Sequence, residues 1–301
     1  MTPHDAERPV EPAPPAGPRR SEVDAPLLFL PAGRATGAAN MALDEALMAI
    51  AATGRAAVRF YGWEPPCLSL GRNQPTGAVV AGRRREDYEP GVDIVRRPTA
   101  GRSVYHGPEL TYAVVAPDRL WSGPRTIYRR VHAVLSAALF ELGVHVDRGP
   151  DVGDAELGPD ELATSPEAPG GTLAVDAREC FVATAPGEIT VGGRKLVGSA
   201  QWRHAGAVLQ HGSILIRDEQ ARAVLDGGGG PATNGGGSGA IGLEEILGEA
   251  LDTELLAEAV ATGFAGELGV SLERGASPAE VLEWASELET KYRSEEWTWR
   301  R

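Results

Sequence analysis

A turn of small residues flanked by arginines is the first segment of this 301-residue chain that could hold a ligand. It runs from Arg96 to Tyr112 and reads RRPTAGRSVYHGPELTY. Small side chains let backbone amides come close to a bound group, and the arginines could attract an anion. Turns of this composition are common in hairpins, so spacing alone favours the plainer alternative, a tight turn with solvated arginines.

Two later segments carry a lysine and a histidine beside small residues. Lys195 follows the hairpin-turn dipeptide Gly192-Gly193 and begins a predicted strand that continues through Gly198-Ser199-Ala200. A lone lysine beside a turn is most often a solvated surface residue, so position alone assigns it no role. His211, in the segment Gln210-His211-Gly212-Ser213, could equally hold the structure together or take part in catalysis.

The chain has only two cysteines, Cys67 and Cys180, which are too few and too far apart to indicate a disulfide framework. A reducing compartment, the cytoplasm, is therefore expected. Cys67 lies at the start of an apolar strand in the segment PPCLSL, and we predict an inert buried thiol. Taken by itself, Cys180 would also be assigned a structural role.

Composition excludes several classes of function. The formal charge is −13, from 29 basic and 42 acidic residues, which argues against nucleic-acid binding. No run of 18 apolar residues occurs, so no membrane span is predicted, and the proline-rich N-terminus lacks the apolar segment of a secretion signal. Local basic patches remain at Arg83–Arg85 and Arg129-Arg130, and they are candidates for docking an acidic partner.

The elements that must position these groups alternate between strands and helices. Apolar spacing predicts a helix over 38–52 and another from Pro124 to Leu142, with Ser122 as a possible cap. Two more helices are predicted near the C-terminus, the second opened by a capping box at Ser277-Pro278-Ala279-Glu280. Strand-like runs lie at 57–62, 67–70, 92–96, 110–115, 188–191 and 208–216. This mixture predicts an α+β fold, a mixed or antiparallel sheet with flanking helices.

Composition also divides the chain into segments. We predict a disordered tail over 1–25, a catalytic domain over 26–225, a flexible Gly-rich linker over 226–242 and C-terminal helices over 243–301 that pack on the domain. The acidic stretch 151–171 is interpreted as a surface insertion, without a predicted role.

In their order along the chain, these motifs resemble the catalytic domain of the biotin and lipoate protein ligase superfamily. The order is NMALDE at Asn40–Glu45, the Arg96-Arg97 loop, GRK at Gly193–Lys195 and QHGS at Gln210–Ser213. The resemblance covers about residues 27–217 and a C-terminal segment, Lys291–Thr298. It implies a ligase-like catalytic fold.

Within the superfamily, the closest resemblance is to the cysteine-dependent octanoyltransferases of the LipM type. Their loop is similar at Arg96, Arg97, Thr99, Gly101, Arg102, Val104, His106, Glu109, Leu110, Thr111 and Tyr112. Their nucleophile lies in a Cys-Phe dipeptide, and Cys180-Phe181 occurs fifteen residues before Lys195. Ala100 departs from the usual glycine, which leaves the exact acyl chain length open.

The resemblance implies an octanoyl-[acyl carrier protein]:protein N-octanoyltransferase of lipoate biosynthesis that works by ping-pong chemistry. Cys180 would carry the acyl group as a thioester, and Lys195 would favour its thiolate and, once neutral, accept a proton from the acceptor lysine. The substrate-binding residues carried over are Arg96, Arg97, Thr99, Ala100, Gly101, Arg102, His106, Gly198, Ser199, Ala200 and His211. No metal or cofactor is implied.

The partners implied are octanoyl acyl carrier protein as donor and a lipoyl-carrier domain as acceptor. The acceptor could be the glycine-cleavage H protein or an E2 lipoyl domain, and a monomer is expected. An ATP-dependent lipoate–protein ligase is the alternative, although the SGGG loop of those enzymes is replaced by Thr99–Arg102. A second alternative is a non-catalytic carrier-binding member, against which the retained Cys180 and Lys195 argue. Biotin protein ligases are excluded, because their GRGR-type loop and KWPND-type strand are missing.

Overall fold

The computed structural model describes most of the chain in four stretches, residues 25–74, 91–147, 188–219 and 239–300. Several features predicted from the sequence lie outside the described residues: nearly all of the N-terminal tail, the insertion 151–171, most of the Gly-rich linker, Arg83–Arg85 and Cys180.

A seven-stranded mixed sheet forms the centre of the molecule. Its strands are β1 (Leu27–Ala35), β2 (Ala57–Trp63), β6 (Glu109–Pro117), β7 (Ile189–Val191), β8 (Arg194–His204), β9 (Ala207–Leu215) and β10 (Leu272–Arg274). The spatial order is β10-β1-β2-β6-β9-β8-β7. β1 is parallel to both of its neighbours, and all the other pairings are antiparallel. The predicted α+β class with a mixed sheet is confirmed.

A second sheet of three short strands carries the arginine loop. It consists of β3 (Cys67–Leu70), β4 (Asp93–Arg96) and β5 (Val104–His106), with β3 in the middle. β3 is parallel to β4 and antiparallel to β5. The loop therefore runs from the end of β4 to the start of β5.

Helices cover both faces of the main sheet. They are α1 (Gly37–Ala52), α2 (Pro124–Glu141), α3 (Leu243–Leu247), α4 (Thr253–Leu268), α5 (Ala279–Arg293) and α6 (Glu295–Thr298). α2 and α4 pack together over one core, which contains Phe60, Tyr112 and Ile214 of the sheet. α1 packs against α5 over a second core, to which the small sheet contributes Cys67 and Val95.

Both predicted helix caps are wrong, although α2 begins at Pro124 as predicted. α2 begins after Gly123, with no side-chain cap, and Ser122 lies outside the helix with a φ of 71°. α5 begins after Pro278, which occupies the N-cap position itself, so Ser277 is one residue too early to cap the helix. A capping box needs its serine at the N-cap.

The C-terminal part contains more structure than the two predicted helices. α3, α6 and the strand β10 are additional, and β10 pairs with β1 at the edge of the main sheet. With three residues, β10 is too short to show an alternating pattern. The last residues of the predicted linker, Gly239–Gly242, include a bridge to β8 at Ala240. The N–H of Lys195 donates to the carbonyl of Gly239 (2.7 Å), and the N–H of Ile241 donates to the carbonyl of Lys195 (3.0 Å).

Candidate active site

Arg97 holds the loop between β4 and β5 in one conformation. Its buried guanidinium donates to the carbonyls of Ala100 (2.9 Å) and Arg102 (2.6 Å), so the loop folds around this side chain. Gly101 has a φ of 98°, which favours glycine, and its carbonyl lies where a Cβ on Gly71 would be, at 1.7 Å. The loop is thus packed directly against the chain that follows β3.

A first chain of buried hydrogen bonds runs from Arg97 to α1. Arg97 Nε donates to Thr99 Oγ1 (3.1 Å), which lies 2.7 Å from His211 Nε2. His211 Nδ1 lies 3.0 Å from Asp44 Oδ2. Burial lowers the pKa of His211, although Asp44 opposes this shift, so the neutral imidazole is favoured. The neutral ring fits its surroundings, because Nδ1–H donates to Asp44 while Nε2 accepts from the Thr99 hydroxyl.

Asp44 is the anchor of this chain of hydrogen bonds. Arg59 Nη1 donates to Asp44 Oδ1 (2.8 Å), and Tyr61 donates its hydroxyl to Asp44 Oδ2 (2.7 Å). Arg59 Nη2 also donates to Asn40 Oδ1 (2.6 Å). Asp44 and Asn40 are fully buried, so this paired and hydrogen-bonded charge fixes α1 against β2 and β9.

A second buried chain runs from Arg97 through the small sheet to β6. Arg97 Nη1 donates to Ser69 Oγ (3.1 Å), which lies 2.7 Å from His106 Nε2. His106 Nδ1 lies 2.7 Å from Glu109 Oε1. Ser213 of β9 donates its hydroxyl to the same carboxylate oxygen (2.8 Å). One guanidinium therefore connects the loop to both sheets.

Trp63 covers this second chain. Its indole ring stacks on His106, with centroids 4.0 Å apart and an angle of 15° between the planes. The indole N–H donates to Thr111 Oγ1 (2.8 Å), and Thr111 donates to Glu109 Oε1 (2.7 Å). The orientation of His106 is therefore fixed on every side by packing and hydrogen bonds.

Arg96 has a different role from the one expected of a surface arginine. Its side chain is fully buried, and it donates to the carbonyls of Gly71 (2.7 Å), Gln74 (2.7 Å) and Thr298 (2.9 Å). Burial lowers the pKa of Arg96 to about 10, with further contributions from the Arg300 and Arg97 charges. Arg96 thus ties the loop to the C-terminal segment and acts on a ligand only through the loop.

Ser199 belongs to a separate group on the other face of the sheet. Its hydroxyl lies 2.7 Å from the Tyr112 hydroxyl and 2.9 Å from His132 Nε2 of α2. Burial raises the pKa of Tyr112 to about 12, so the phenol stays protonated at neutral pH. Gly212 gives this group its space, because a Cβ there would lie 2.8 Å from the Tyr112 ring and 2.4 Å from the carbonyl of Gly198.

Lys195 is buried in an ion pair. Its Nζ lies 2.5 Å from Glu188 Oε1, and the two side chains are 7% and 10% exposed. The β7–β8 turn at Gly192-Gly193, with φ values of 58° and 74°, folds β8 back beside β7, so that Lys195 on β8 meets Glu188, the residue just before β7. This ammonium is therefore not the solvated surface group that its position beside a turn would indicate.

Cys67 is the cysteine within the described residues. It is fully buried, and its sulfur lies so close to Gly37 that a Cβ there would be 2.7 Å away. Burial raises the pKa of this thiol, and the charges of Asp93 and Glu109 raise it further. The predicted burial is confirmed, and the raised pKa keeps the thiol protonated and unreactive.

The structure brings most of the predicted site residues together, but not all. Arg97, Thr99 and His211 are in direct contact, and His106 joins them through Ser69. Gly198 and Ala200 pair with β9 opposite Ser213 and His211, whereas Ser199 faces α2. The partners that sequence reasoning missed are Asp44, Ser69, Glu109, Ser213, His132 and Glu188. Asp44 and Glu109 lie inside the motifs quoted from the sequence, and that position could have identified them as site residues.

Two kinds of feature are absent from the described stretches. They contain no cluster of three or more His, Cys, Asp or Glu side chains that could hold a metal ion. None of the helices found there is long and apolar enough to cross a membrane.

Comparisons with known proteins show the family to which the chain belongs. The family model of the lipoyl protein ligase A/B catalytic domain matches residues 36–265. Octanoyltransferase LipM of Kyrpidia tusciae is 37% identical over 302 residues, covering 91% of this chain and 98% of that protein. Octanoyltransferase LipM of Bacillus subtilis is 32% identical over 292 residues, with the same coverage of both chains.

Solved structures show the same fold. Lipoate-protein ligase A bound with ATP superimposes with a TM-score of 0.66 at 21% identity, covering 91% of this chain and 98% of that chain. A bi-partite lipoate protein ligase from Thermoplasma acidophilum gives 0.64 at 19% identity, covering 91% and 96%.

Proposed function

Because the chain belongs to the lipoyl protein ligase A/B catalytic domain family, we propose that it is an octanoyl-[acyl carrier protein]:protein N-octanoyltransferase of lipoate biosynthesis. The resemblance drawn from the order of motifs is thereby confirmed. The observation that carries the proposal is the 37% identity to an octanoyltransferase across nearly the whole of both proteins.

Cys180 is the proposed nucleophile of the first half-reaction. A free thiol of pKa about 8.5 is only a few per cent thiolate at pH 7, and a neighbouring ammonium increases that fraction. The buried Lys195 supplies such a charge. Cys180 lies eight positions before Glu188, the ion-pair partner of Lys195, and eight steps of the chain span up to about 29 Å.

In this first step the Cys180 thiolate attacks the carbonyl carbon of the octanoyl thioester. The new carbon–sulfur bond replaces the bond to the carrier's pantetheine sulfur, which leaves as a thiolate and takes up a proton from solvent. One thioester replaces another, so the step is nearly balanced in free energy. The arginine loop, held by Arg97, would line the path of the acyl chain.

In the second step the ε-amine of the acceptor lysine attacks the Cys180 thioester. A carbon–nitrogen bond forms, the carbon–sulfur bond breaks, and the proton released from nitrogen returns the thiolate to a thiol. An amide replaces a thioester, which makes this step downhill. That a neutral Lys195 takes this proton stays a prediction; its Nζ lies 2.5 Å from Glu188 Oε1.

The proposed donor is octanoyl acyl carrier protein, and the acceptor is a lipoyl-carrier domain, either the H protein or an E2 domain. A bi-partite ligase of the same fold is described together with its E2 lipoyl domain. Such carriers are typically acidic, so docking would use local basic patches. Arg129 and Arg130 lie exposed on α2, although Arg130 also pairs with Glu267. We propose a cytoplasmic monomer.

The ATP-dependent ligase is the second candidate, because the solved structures of this fold include lipoate-protein ligases. Those similarities lie at 19–21% identity and concern the fold alone. The two functions differ in one requirement. The transferase accepts octanoyl from acyl carrier protein without ATP, whereas the ligase needs ATP and a free acid.

Intact mass spectrometry after incubation with octanoyl acyl carrier protein, without ATP, tests the proposal. We expect one added octanoyl group, lost on treatment with hydroxylamine and mapped to Cys180. Cys180→Ser should abolish both labelling and transfer to a lipoyl domain. Cys67→Ser is the matched control and should keep both, because Cys67 is fully buried and its raised pKa keeps it protonated.

Full transfer by the Cys180→Ser variant, or a label found only on Cys67, would contradict the mechanism. Efficient modification of the lipoyl domain with free octanoate or lipoate, strictly dependent on ATP, would favour the ligase. A chain that binds the carriers but forms no thioester would be the non-catalytic member.

A further inference from the structure

The two arginines expected from the sequence to attract an anion are already bound to the protein itself. Arg96 donates to backbone carbonyls of the chain after β3 and of the C-terminal segment, and Arg97 donates to the carbonyls of Ala100 and Arg102. Both side chains are buried. A negatively charged part of a substrate therefore needs other cations beside the loop.

Two half-buried arginines lie next to the same loop, Arg72 after β3 and Arg300 after α6. The N–H of Arg72 donates to the carbonyl of Thr99 (2.8 Å), and the Arg300 guanidinium donates to the carbonyl of Arg72 (2.6 Å). The Arg72 guanidinium lies over the Trp202 ring, 5.2 Å from its centroid. The Arg300 guanidinium lies over the Trp297 ring at 4.0 Å. These four side chains form the arginine–tryptophan patch.

The two charges of the patch lack a counter-ion. Within the described stretches neither Arg72 nor Arg300 pairs with a carboxylate, although acidic residues outnumber basic ones by 42 to 29. Arg203, which follows Trp202 and points to the other face of β8, is by contrast bound to Asp118 (2.8 Å). Burial lowers the pKa of Arg300, and the Arg72 charge lowers it further. These like charges repel each other, and a bound anion would remove that repulsion.

The way the two guanidiniums are held suits a phosphate group. A guanidinium stacked on an aromatic ring keeps the N–H groups at its edge for a ligand, and this fork matches two phosphate oxygens. The indole rings already restrict both side chains, so binding orders them little further. The donor of the proposed function carries one such group, the phosphodiester that joins its pantetheine arm to the carrier. The lysine side chain of the acceptor carries none.

We propose that the arginine–tryptophan patch binds the phosphate of the donor's pantetheine arm and so directs the octanoyl thioester towards the arginine loop. This inference rests on the proposed function and deepens it, since it names the part of the donor that is recognised. The position of the patch supports it. Arg72 is hydrogen-bonded to Thr99, whose hydroxyl lies 2.7 Å from His211.

Calorimetry with two unreactive donor analogues tests the inference without turnover. The analogues are octanoyl pantetheine with an amide in place of the thioester, and its 4′-phosphate. We expect the full-length wild type to bind the phosphorylated analogue about tenfold more tightly, the effect of one charge-assisted hydrogen bond. Arg72→Gln and Arg300→Gln should each lose most of this preference, and the double variant should lose all of it. The preference should also shrink as salt is added, because half-buried charges are partly screened.

Arg203→Gln is the matched control, because it removes the same charge one residue from Trp202 but on the other face of the strand. It should keep the preference for the phosphate. The corresponding thioesters then serve as donors in transfer to a lipoyl domain. In Arg72→Gln and Arg300→Gln, kcat/KM should fall about tenfold with the phosphorylated donor and stay within about twofold with the other. Structural damage would instead slow both donors equally.

A wild type that binds both analogues equally, or arginine variants that keep the preference, would overturn the inference. An equal loss of affinity for the apo carrier, which lacks the arm, would also overturn it, because the patch would then bind carboxylates of the carrier surface. The same holds if ATP binds more tightly than the phosphorylated analogue and loses this affinity in both variants.

Failure of every donor to support transfer without ATP would contradict the proposed function, while the two affinities would still decide the inference. Should a glutamine variant not fold, Arg72→Lys takes its place. Lysine keeps the charge but loses the paired donors, so a preference several-fold below that of the wild type is expected. An unchanged preference in that variant would overturn the inference.

Discussion

At the scale of single residues, Arg97 joins two buried chains of hydrogen bonds that together orient the loop. One chain leads through Thr99 and His211 to Asp44, and the other through Ser69 to His106. Each polar group in these chains is buried, so losing one partner leaves another without compensation. The loop is therefore ordered before any ligand arrives, which lowers the entropy cost of binding.

The stability of the protein should depend on pH through His211. Burial lowers the pKa of His211 below its ordinary value of about 6.5. As pH falls below about 6.5 the unfolded chain takes up a proton that the folded chain does not bind, so folding stability decreases. The slope from this group is at most about 1.4 kcal/mol per pH unit, and it disappears above about pH 6.5, where both states are neutral.

Urea unfolding of the wild type and of His211→Gln, from about pH 5 to 8, measures this contribution. Glutamine keeps a donor for Asp44 and an acceptor for Thr99 but does not titrate. We expect the difference in unfolding free energy between the two proteins to shrink as the pH falls. A difference that stays constant with pH would show that His211 titrates alike in the folded and unfolded states.

Some contacts of single residues could be predicted from the sequence, and others could not. The spacing of Thr99 and His211 in their motifs pointed to the site, and the structure brings them within 2.7 Å. No pattern in the sequence indicated a role for Glu188, because a glutamate before a short strand is usually a surface residue. Its role depends on the turn that places it opposite Lys195, and such a pairing becomes visible only in three dimensions.

At the scale of elements, the close approach between β3 and the arginine loop depends on Gly71. A Cβ there would lie 1.7 Å from the carbonyl oxygen of Gly101, so Gly71→Ala must displace the backbone. We expect a loss of about 1–3 kcal/mol in unfolding free energy. Octanoyl transfer should fall as well, because the loop moves.

Gly266→Ala is the matched control for this substitution. Gly266 lies within α4, and no atom would come within 4 Å of an added Cβ. Alanine there should raise stability by about 0.5–1 kcal/mol, because it restricts the unfolded chain. Chemical denaturation of both variants provides the comparison. Equal effects of the two substitutions on the unfolding free energy would mean that the contact of Gly71 with the loop does not contribute to stability.

Elements with a clear apolar pattern were predicted well, and the shortest ones were not. The strand Cys67–Leu70 and the helix α1 were predicted to within one residue, because their apolar residues follow a clear period. The strand β10 has three residues, of which two are exposed, and it forms only because β1 offers an edge. The predicted helix caps were wrong for a related reason, since a serine near a helix end caps it only if it occupies the N-cap position.

At the scale of the whole molecule, the C-terminal segment supports the site by binding Arg96. Thr298 and Arg300 accept hydrogen bonds from Arg96 through their carbonyls, and the Trp297 indole donates to the carbonyl of Arg96 (2.8 Å). The family match ends at residue 265, so the C-terminal residues that make these contacts lie beyond the matched part of the chain. The resemblance noted at Lys291–Thr298 thus corresponds to a structural brace.

Removing residues 295–301 should therefore weaken the site as well as the fold. Arg96 would lose two carbonyl partners, and we expect at least about 2 kcal/mol less unfolding free energy. Trp297→Phe removes the indole N–H together with part of the ring, and it should cost at least about 1 kcal/mol. Trp284→Phe, on the exposed side of α5, is the matched control and should stay within about 0.5 kcal/mol. Thermal unfolding and transfer assays that show no loss on truncation would contradict the brace.

The pairing of β1 with β10 has a consequence for how the protein is made. The ribosome releases Leu27–Phe29 early and Leu272–Arg274 late, yet these segments pair with each other. Contacts between such distant parts of a chain form slowly, because a long loop must close first. A nascent chain therefore carries an unpaired β1 edge and an unbraced Arg96 until residues 272–300 have been synthesised. A chain that stops before Leu272 would keep the motifs up to Ser213 but lack both the partner of β1 and the support of Arg96.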